Sequence, residues 1–162
     1  MDRKPFSLDA LSKILIEKEA ISETNLSLVN QFKDKWAVSI YDAVIETHLL
    51  SERDLADLLA EYFRVTRSYA ISKVMIQEDA FDKISFLDAR ERSIFPLGTD
   101  LLKNEFKVVI GDPTDKLNME FLSETLGSFN FFVSEKKLIQ DAILKYFPIT
   151  SQLPSLNNLE DQ

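Results

Sequence analysis

Ile16-Glu17 followed by Ile21-Ser22-Glu23-Thr24-Asn25-Leu26, and Ile45-Glu46 followed by Leu50-Ser51-Glu52-Arg53-Asp54-Leu55, are two versions of one pattern set 29 residues apart. Each copy has an apolar–acidic pair, then an apolar residue, a serine, a glutamate and a leucine three places on. A serine ahead of an acidic first turn accepts hydrogen bonds from the unpaired N–H groups of a starting helix, and the acid complements the helix dipole. The pattern therefore marks the junction between two helices, met twice. It points to two copies of one helical hairpin. The bland alternative is that two capped amphipathic helices match through their caps alone.

Residues 7–66 read as four short helices. Ser7 is placed to cap the first, with Leu8, Leu11, Leu15 and Ile16 on its apolar face. Ser22 caps the second, carrying Leu26, Val29 and Phe32, and Ser39 the third, carrying Ile40, Val44 and Ile45. Ser51 starts the fourth, with Leu55, Leu58, Leu59 and Tyr62. Apolar residues at steps of three and four are the signature of a helix with one buried face.

The character changes after residue 66. Residues 75–92 suggest one or two short helices. Ile94-Phe95-Pro96-Leu97 suggests an edge strand, since Pro96 has no N–H to give a ladder. Phe106–Ile110 is a strand ended by Gly111-Asp112-Pro113, and a helix with Leu117, Phe121, Leu122 and Leu126 follows, stopped by Gly127. Phe129–Val133 is a further strand, and Phe131-Phe132 within it implies cover on both faces. Ser134 is placed to cap a last helix with Leu138, Ile139, Ala142, Ile143 and Tyr146 on one stripe, and Pro148 ends it. The fold class is α+β. A helical subdomain of two hairpin repeats (1–66) precedes a small α/β subdomain (67–148) with a three- or four-stranded sheet and covering helices, and 149–162 reads as a linker or tail.

Composition narrows the function. The chain has 162 residues, is 45% apolar and carries a net charge of −8. Residues 1–66 hold 8 basic and 12 acidic side chains against 11 and 15 in the remainder, so neither half is cationic and neither nucleic acid nor an anionic lipid surface is an expected partner. There is no cysteine and one histidine, His48, which rules out thiolate and multi-histidine metal sites. No apolar run approaches the roughly 18 residues of a membrane span. The three glycines, Gly98, Gly111 and Gly127, are far apart, so no phosphate-cradling loop exists. His48 near a helix end suits the dipole better than catalysis. Asp112-Pro113-Thr114-Asp115 suits a turn that caps a helix better than a metal or substrate site. No nucleophile–base pair or carboxylate dyad stands out, and no cofactor or enzyme activity is expected. Trp36, between the hairpins, either packs them together or anchors a partner.

The doubled hairpin, the Ile94-Phe95-Pro96-Leu97 and Phe106–Ile110 strands and the Asp112-Pro113-Thr114-Asp115 turn, in this order, resemble the N-terminal domain of type II secretion and type IV pilus assembly ATPases, over about residues 8–147. The resemblance implies an interaction module, not a motor. It would dock the enzyme to the cytoplasmic part of an inner-membrane platform protein, placing the chain in the cytoplasm, peripheral at that membrane. The tail would suit a linker to catalytic domains, the chain being either an excised domain or a natural stand-alone adaptor, and a hexamer would form only through a downstream ATPase domain. Docking through the helical half makes Leu8, Leu11, Trp36, Ile40 and Tyr41 candidate partner contacts. Some relatives bind cyclic di-GMP through an Arg-Leu-Gly opening, a glycine before the second helix and a glutamine near its end. This chain has Ala10-Leu11-Ser12, Glu19 and Lys33 at those places in one repeat, and Ser39-Ile40-Tyr41, His48 and Tyr62 in the other. Cyclic di-GMP is therefore not expected to bind in that mode.

Overall fold

Short helices leave a large share of their backbone groups unpaired, so their ends decide where they form. The computed structural model describes residues 9–152. Leu8 and the expected Ser7 cap lie outside them. The described first helix, α1 (Ala10–Glu17), is capped instead by Asp9, whose carboxylate accepts from Ser12 N–H at 2.7 Å. Ser22 caps α2 (Glu23–Trp36) through Asn25 N–H, and Ser39 caps α3 (Ile40–Glu46) through Asp42 N–H. Ser51 accepts from Asp54 N–H at 3.0 Å and starts α4 (Glu52–Phe63).

The 29-residue repeat is carried by backbone geometry. After α1, Ala20 N–H bonds back to Leu15 C=O and Glu19 takes a left-handed φ of 57°. After α3, Leu49 N–H bonds back to Val44 C=O and His48 takes φ 61°. This closure satisfies the last carbonyls of a helix and normally uses glycine at the left-handed place. Here Glu19 and His48, both exposed, occupy it with side chains.

The chain divides into two compact units, between Leu55 and Ala56 within α4, whereas the change of character in the sequence falls at residue 66. In the first unit α3 packs on α1 and α2, and the core is Leu11, Ile14, Leu15, Leu26, Val29, Ile40, Tyr41 and Val44.

In the second unit a turn of 3-10 helix (Lys73–Met75) and α5 (Phe86–Arg92) precede a three-stranded sheet. Strands β1 (Ile94–Asp100) and β2 (Glu105–Ile110) form an antiparallel hairpin. Strand β3 (Phe129–Val133) runs parallel to β2 and is reached through α6 (Lys116–Leu126). Helix α7 (Lys136–Tyr146) packs on β1 and β2, and α8 (Ile149–Gln152) is the described part of the expected tail. The core joins Phe95, Val108, Ile110, Leu122, Ile139, Ile143 and Phe147.

Two local expectations need correction. Ser134 does not cap α7: the N-cap is Glu135, without a side-chain cap bond, and Ser134 is fully buried with no partner for its Oγ among the described residues. Its N–H instead extends the ladder to Ile110 C=O at 3.2 Å, which pulls it into the sheet. Leu117 lies in the first turn of α6 and is exposed, leaving Leu122 as that helix's buried residue. Phe131 and Phe132, on opposite faces of β3, are each half-buried and packed against the core, so both faces of the strand carry partial cover.

Both sheet margins are managed. At β1 the register slips between Pro96 and Gly98, and the segment before α5 fastens there. Gln77 N–H bonds to Leu97 C=O at 2.8 Å, and the Asp79 carboxylate accepts from both the N–H and the hydroxyl of Thr99. These bonds hold the Asp79 carboxyl below its usual range, the Thr99 hydroxyl first among them. At the other margin, Val133 pairs with the segment Thr66–Ser68, and Arg67 ties Asp57 (2.7 Å) to Glu135 (3.2 Å).

Two outcomes follow from the backbone. Replacing Glu19 or His48 by glycine removes a strain of about 1–2 kcal/mol, partly offset by about 0.4–1 kcal/mol of unfolded-state entropy. Each variant should therefore show a higher urea midpoint than the parent chain. Gly98→Ala should act oppositely. At φ +99° a Cβ would stand 2.6 Å from both Asp79 Oδ1 and Gln77 Cβ, so the strap must detach or the strand distort. A loss of about 2 kcal/mol or more is expected in the same measurement.

Candidate functional site

The first unit presents one helix face that its own core does not use. Leu26 and Val29 bury one side of α2. Beside them, Leu28, Phe32 and Trp36 follow at steps of four, which sets them on one ridge of the helix. Leu28 is 52% exposed, Trp36 is 58% exposed and Phe32 is half-buried. The Phe32 and Trp36 rings lie 6.1 Å apart between centroids, tilted by 43°. The ridge ends at the last turn, where Lys33 and Lys35 favour the negative end of the dipole. Lys35 Nζ sits 5.5 Å from the Trp36 ring centre, and Lys33 pairs with Asp34 at 3.4 Å. A left-handed Ala37, with Val38 N–H bonding to Lys33 C=O at 3.2 Å, closes the helix just after the tryptophan.

Of the five candidate contacts, Leu11, Ile40 and Tyr41 are buried in the first unit, Leu8 is outside the described residues, and Trp36 is exposed. The structure therefore brings Trp36 together with Leu28 and Phe32, two residues outside the five candidates. The signal was in the sequence as a spacing of four, but Phe32 also fits a buried face at that spacing.

The second unit holds the other chemistry. A hollow of about 330 Å³ beside the β1–β2 hairpin is lined by Met75, Leu97, Leu102, Phe132 and the ion pair Asp100–Lys107, 3.2 Å apart. The Leu102 N–H and then Lys107 hold the Asp100 carboxyl below its usual range. In the Asp112-Pro113-Thr114-Asp115 turn, Asp112 accepts from Thr114 N–H at 3.0 Å and from its hydroxyl, while Asp115 caps α6 through Asn118 N–H. The turn does the capping expected of it. Asp112 is buried, which raises its pKa against the opposing pull of Thr114 and the Lys136 charge. Among the described residues no cluster of His, Asp and Glu has the makings of a metal site, and His48 holds its left-handed place at the end of α3.

Solved structures share this fold. The N-terminal domain of XpsE matches with a TM-score of 0.66 at 18% identity, over 91% of this chain and all of that one. The chain has the fold of the XpsE N-terminal domain. A second crystal form of that domain matches with a TM-score of 0.56. MshE, solved with cdg, matches with a TM-score of 0.66 at 22% identity, over 86% of this chain and all of that one. No protein-family model and no curated protein matches the sequence.

The buried Asp112 gives a pH signature with a defined sign. A carboxyl whose folded-state pKa is raised adds stability that is complete below the unfolded value of 3.8 and is lost as pH rises through the folded value. Asp112→Asn lacks this loss. Urea titrations from about pH 4 to pH 8 should show the parent chain losing stability relative to the Asn variant, with the difference growing toward high pH.

Proposed function

We propose that this chain is a non-catalytic interaction module of a type II secretion or type IV pilus assembly ATPase. It docks that enzyme to the cytoplasmic part of an inner-membrane platform protein, and so works in the cytoplasm, peripheral at the membrane. The observation that carries this reading is the fold shared with the XpsE N-terminal domain over 91% of the chain. The sequence agrees with it: three separated glycines leave no phosphate-cradling loop, so any motor lies in another domain.

A second reading, sensing of a cyclic di-GMP-type nucleotide, is brought by MshE having been solved with cdg. The residues here argue against it. Glu19 and His48 stand at the left-handed turns where the family resemblance places glycines, and Glu19 adds negative charge where a dianion would sit.

The tagged chain should recover a single-span inner-membrane protein with a cytoplasmic domain from membranes of the source organism. The purified cytoplasmic domain should then bind by calorimetry. A platform domain that gives no heat would remove the docking reading. Saturating cyclic di-GMP should leave the thermal midpoint unchanged, since a ligand of the native state would raise it. A reproducible rise would favour the sensing reading instead.

A further inference from the structure

An apolar ridge on a soluble unit is informative when it is contiguous and charge marks one of its ends. Leu28, Phe32 and Trp36 lie on an i, i+4, i+8 row, which is the row that helices interlock when they cross at about −50°. The ridge spans about 12 Å at 1.5 Å per residue, two helical turns of a partner. Lys35 stands over Trp36 and has no carboxylate partner among the described residues, while the Lys33–Asp34 pair beside it is exposed. The last turn of α2 is thus locally cationic in a chain of net charge −8.

We infer that the Leu28–Phe32–Trp36 ridge is the seat of one amphipathic helix from the partner, with carboxylates at the end of its apolar stripe that meets Lys35 and Lys33. The inference rests on the docking reading above and assigns it a face and a chemistry. The charge pattern selects a helix over a lipid surface. Interfacial helices carry cations along their polar face, whereas here they are confined to one end of the ridge and the surrounding chain is acidic. A tryptophan in a packed centre, fringed by charge that orients the encounter, is the usual anatomy of such a contact.

Trp36 is the only tryptophan in the chain, so its fluorescence reports this ridge and nothing else. The full chain would be titrated with the purified cytoplasmic domain of the platform protein. The emission should move to shorter wavelength, and acrylamide quenching should fall, as the indole leaves water. Leu28→Ser combined with Phe32→Ser should weaken calorimetric binding about tenfold or more. Lys35→Glu alone should weaken it severalfold and flatten its dependence on salt. Both variants alter exposed or half-exposed side chains, and an unchanged thermal midpoint confirms their folding.

Binding that leaves the Trp36 spectrum and both variants unaffected overturns the ridge and leaves the docking reading standing. No binding by the parent chain overturns the docking reading. The ridge is then read with a synthetic acidic amphipathic helix, whose binding with a Trp36 shift sustains it and whose failure to bind overturns it. A spectral shift on vesicles of phosphatidylcholine with 30% phosphatidylglycerol, or one that follows self-association by sedimentation, with no response to the peptide, assigns the ridge to lipid or to a second copy and overturns the inference.

Discussion

A backbone N–H or C=O withdrawn from water must find a partner, and this constraint presses hardest on a chain of short helices and a small sheet. A helix such as α3 (Ile40–Glu46) has as many end groups as interior ones. Its stability therefore lies in Ser39, which takes up a donor at one end, and in the Leu49-to-Val44 bond, which takes up an acceptor at the other. The same device closes α1, α2 and α4, through Ala20, Val38 and Val65. Four left-handed residues, Glu19, Ala37, His48 and Arg64, accept conformational strain to make it possible, and none is glycine.

The sheet meets the constraint at its margins. Only β2 is flanked on both sides, so β1 and β3 each present a line of backbone groups that would otherwise invite another strand. One margin is taken by the strap through Gln77 and Asp79, where Gly98 permits the close approach that any side chain would block. The other is begun by Thr66–Ser68 and anchored by Arg67, whose guanidinium reaches two carboxylates and lies 4.4 Å from the Tyr69 ring centre. Each margin is thus taken at part of its length, at Leu97–Thr99 on β1 and at Val133 on β3. Side chains are what the fold leaves open, and α2 presents the apolar ridge best defined by spacing and charge.

The buried Asp112 of the second unit serves the turn that follows β2. Asp112 spends its acceptor capacity on Thr114 and so fixes the exit from β2, while Asp115 starts α6. A pair of aspartates at the carboxyl end of a parallel strand, a place where many α/β proteins bind ligands, here shapes the turn and starts the next helix.

The sequence alone determined the helix starts at Ser22, Ser39 and Ser51, because capping is local: each bonds to an N–H group within three residues. It determined the repeat for the same reason, and the strand–strand–helix–strand–helix order through the change of apolar period. It also carried the resemblance whose fold the solved structures share. Tertiary structure decided what depends on residues far apart in the chain. Ser134 has the local chemistry of a cap, yet a ladder bond to Ile110 draws it into the core. Ile40 and Tyr41 have the composition of contacts, yet α1, α2 and α3 close over them. Phe32 and Trp36 sit on the same helix as Leu26 and Val29 and are equally apolar; only the packing of its neighbours determines which face of α2 meets water. An apolar side chain states that it can be buried, and the rest of the fold decides whether it is.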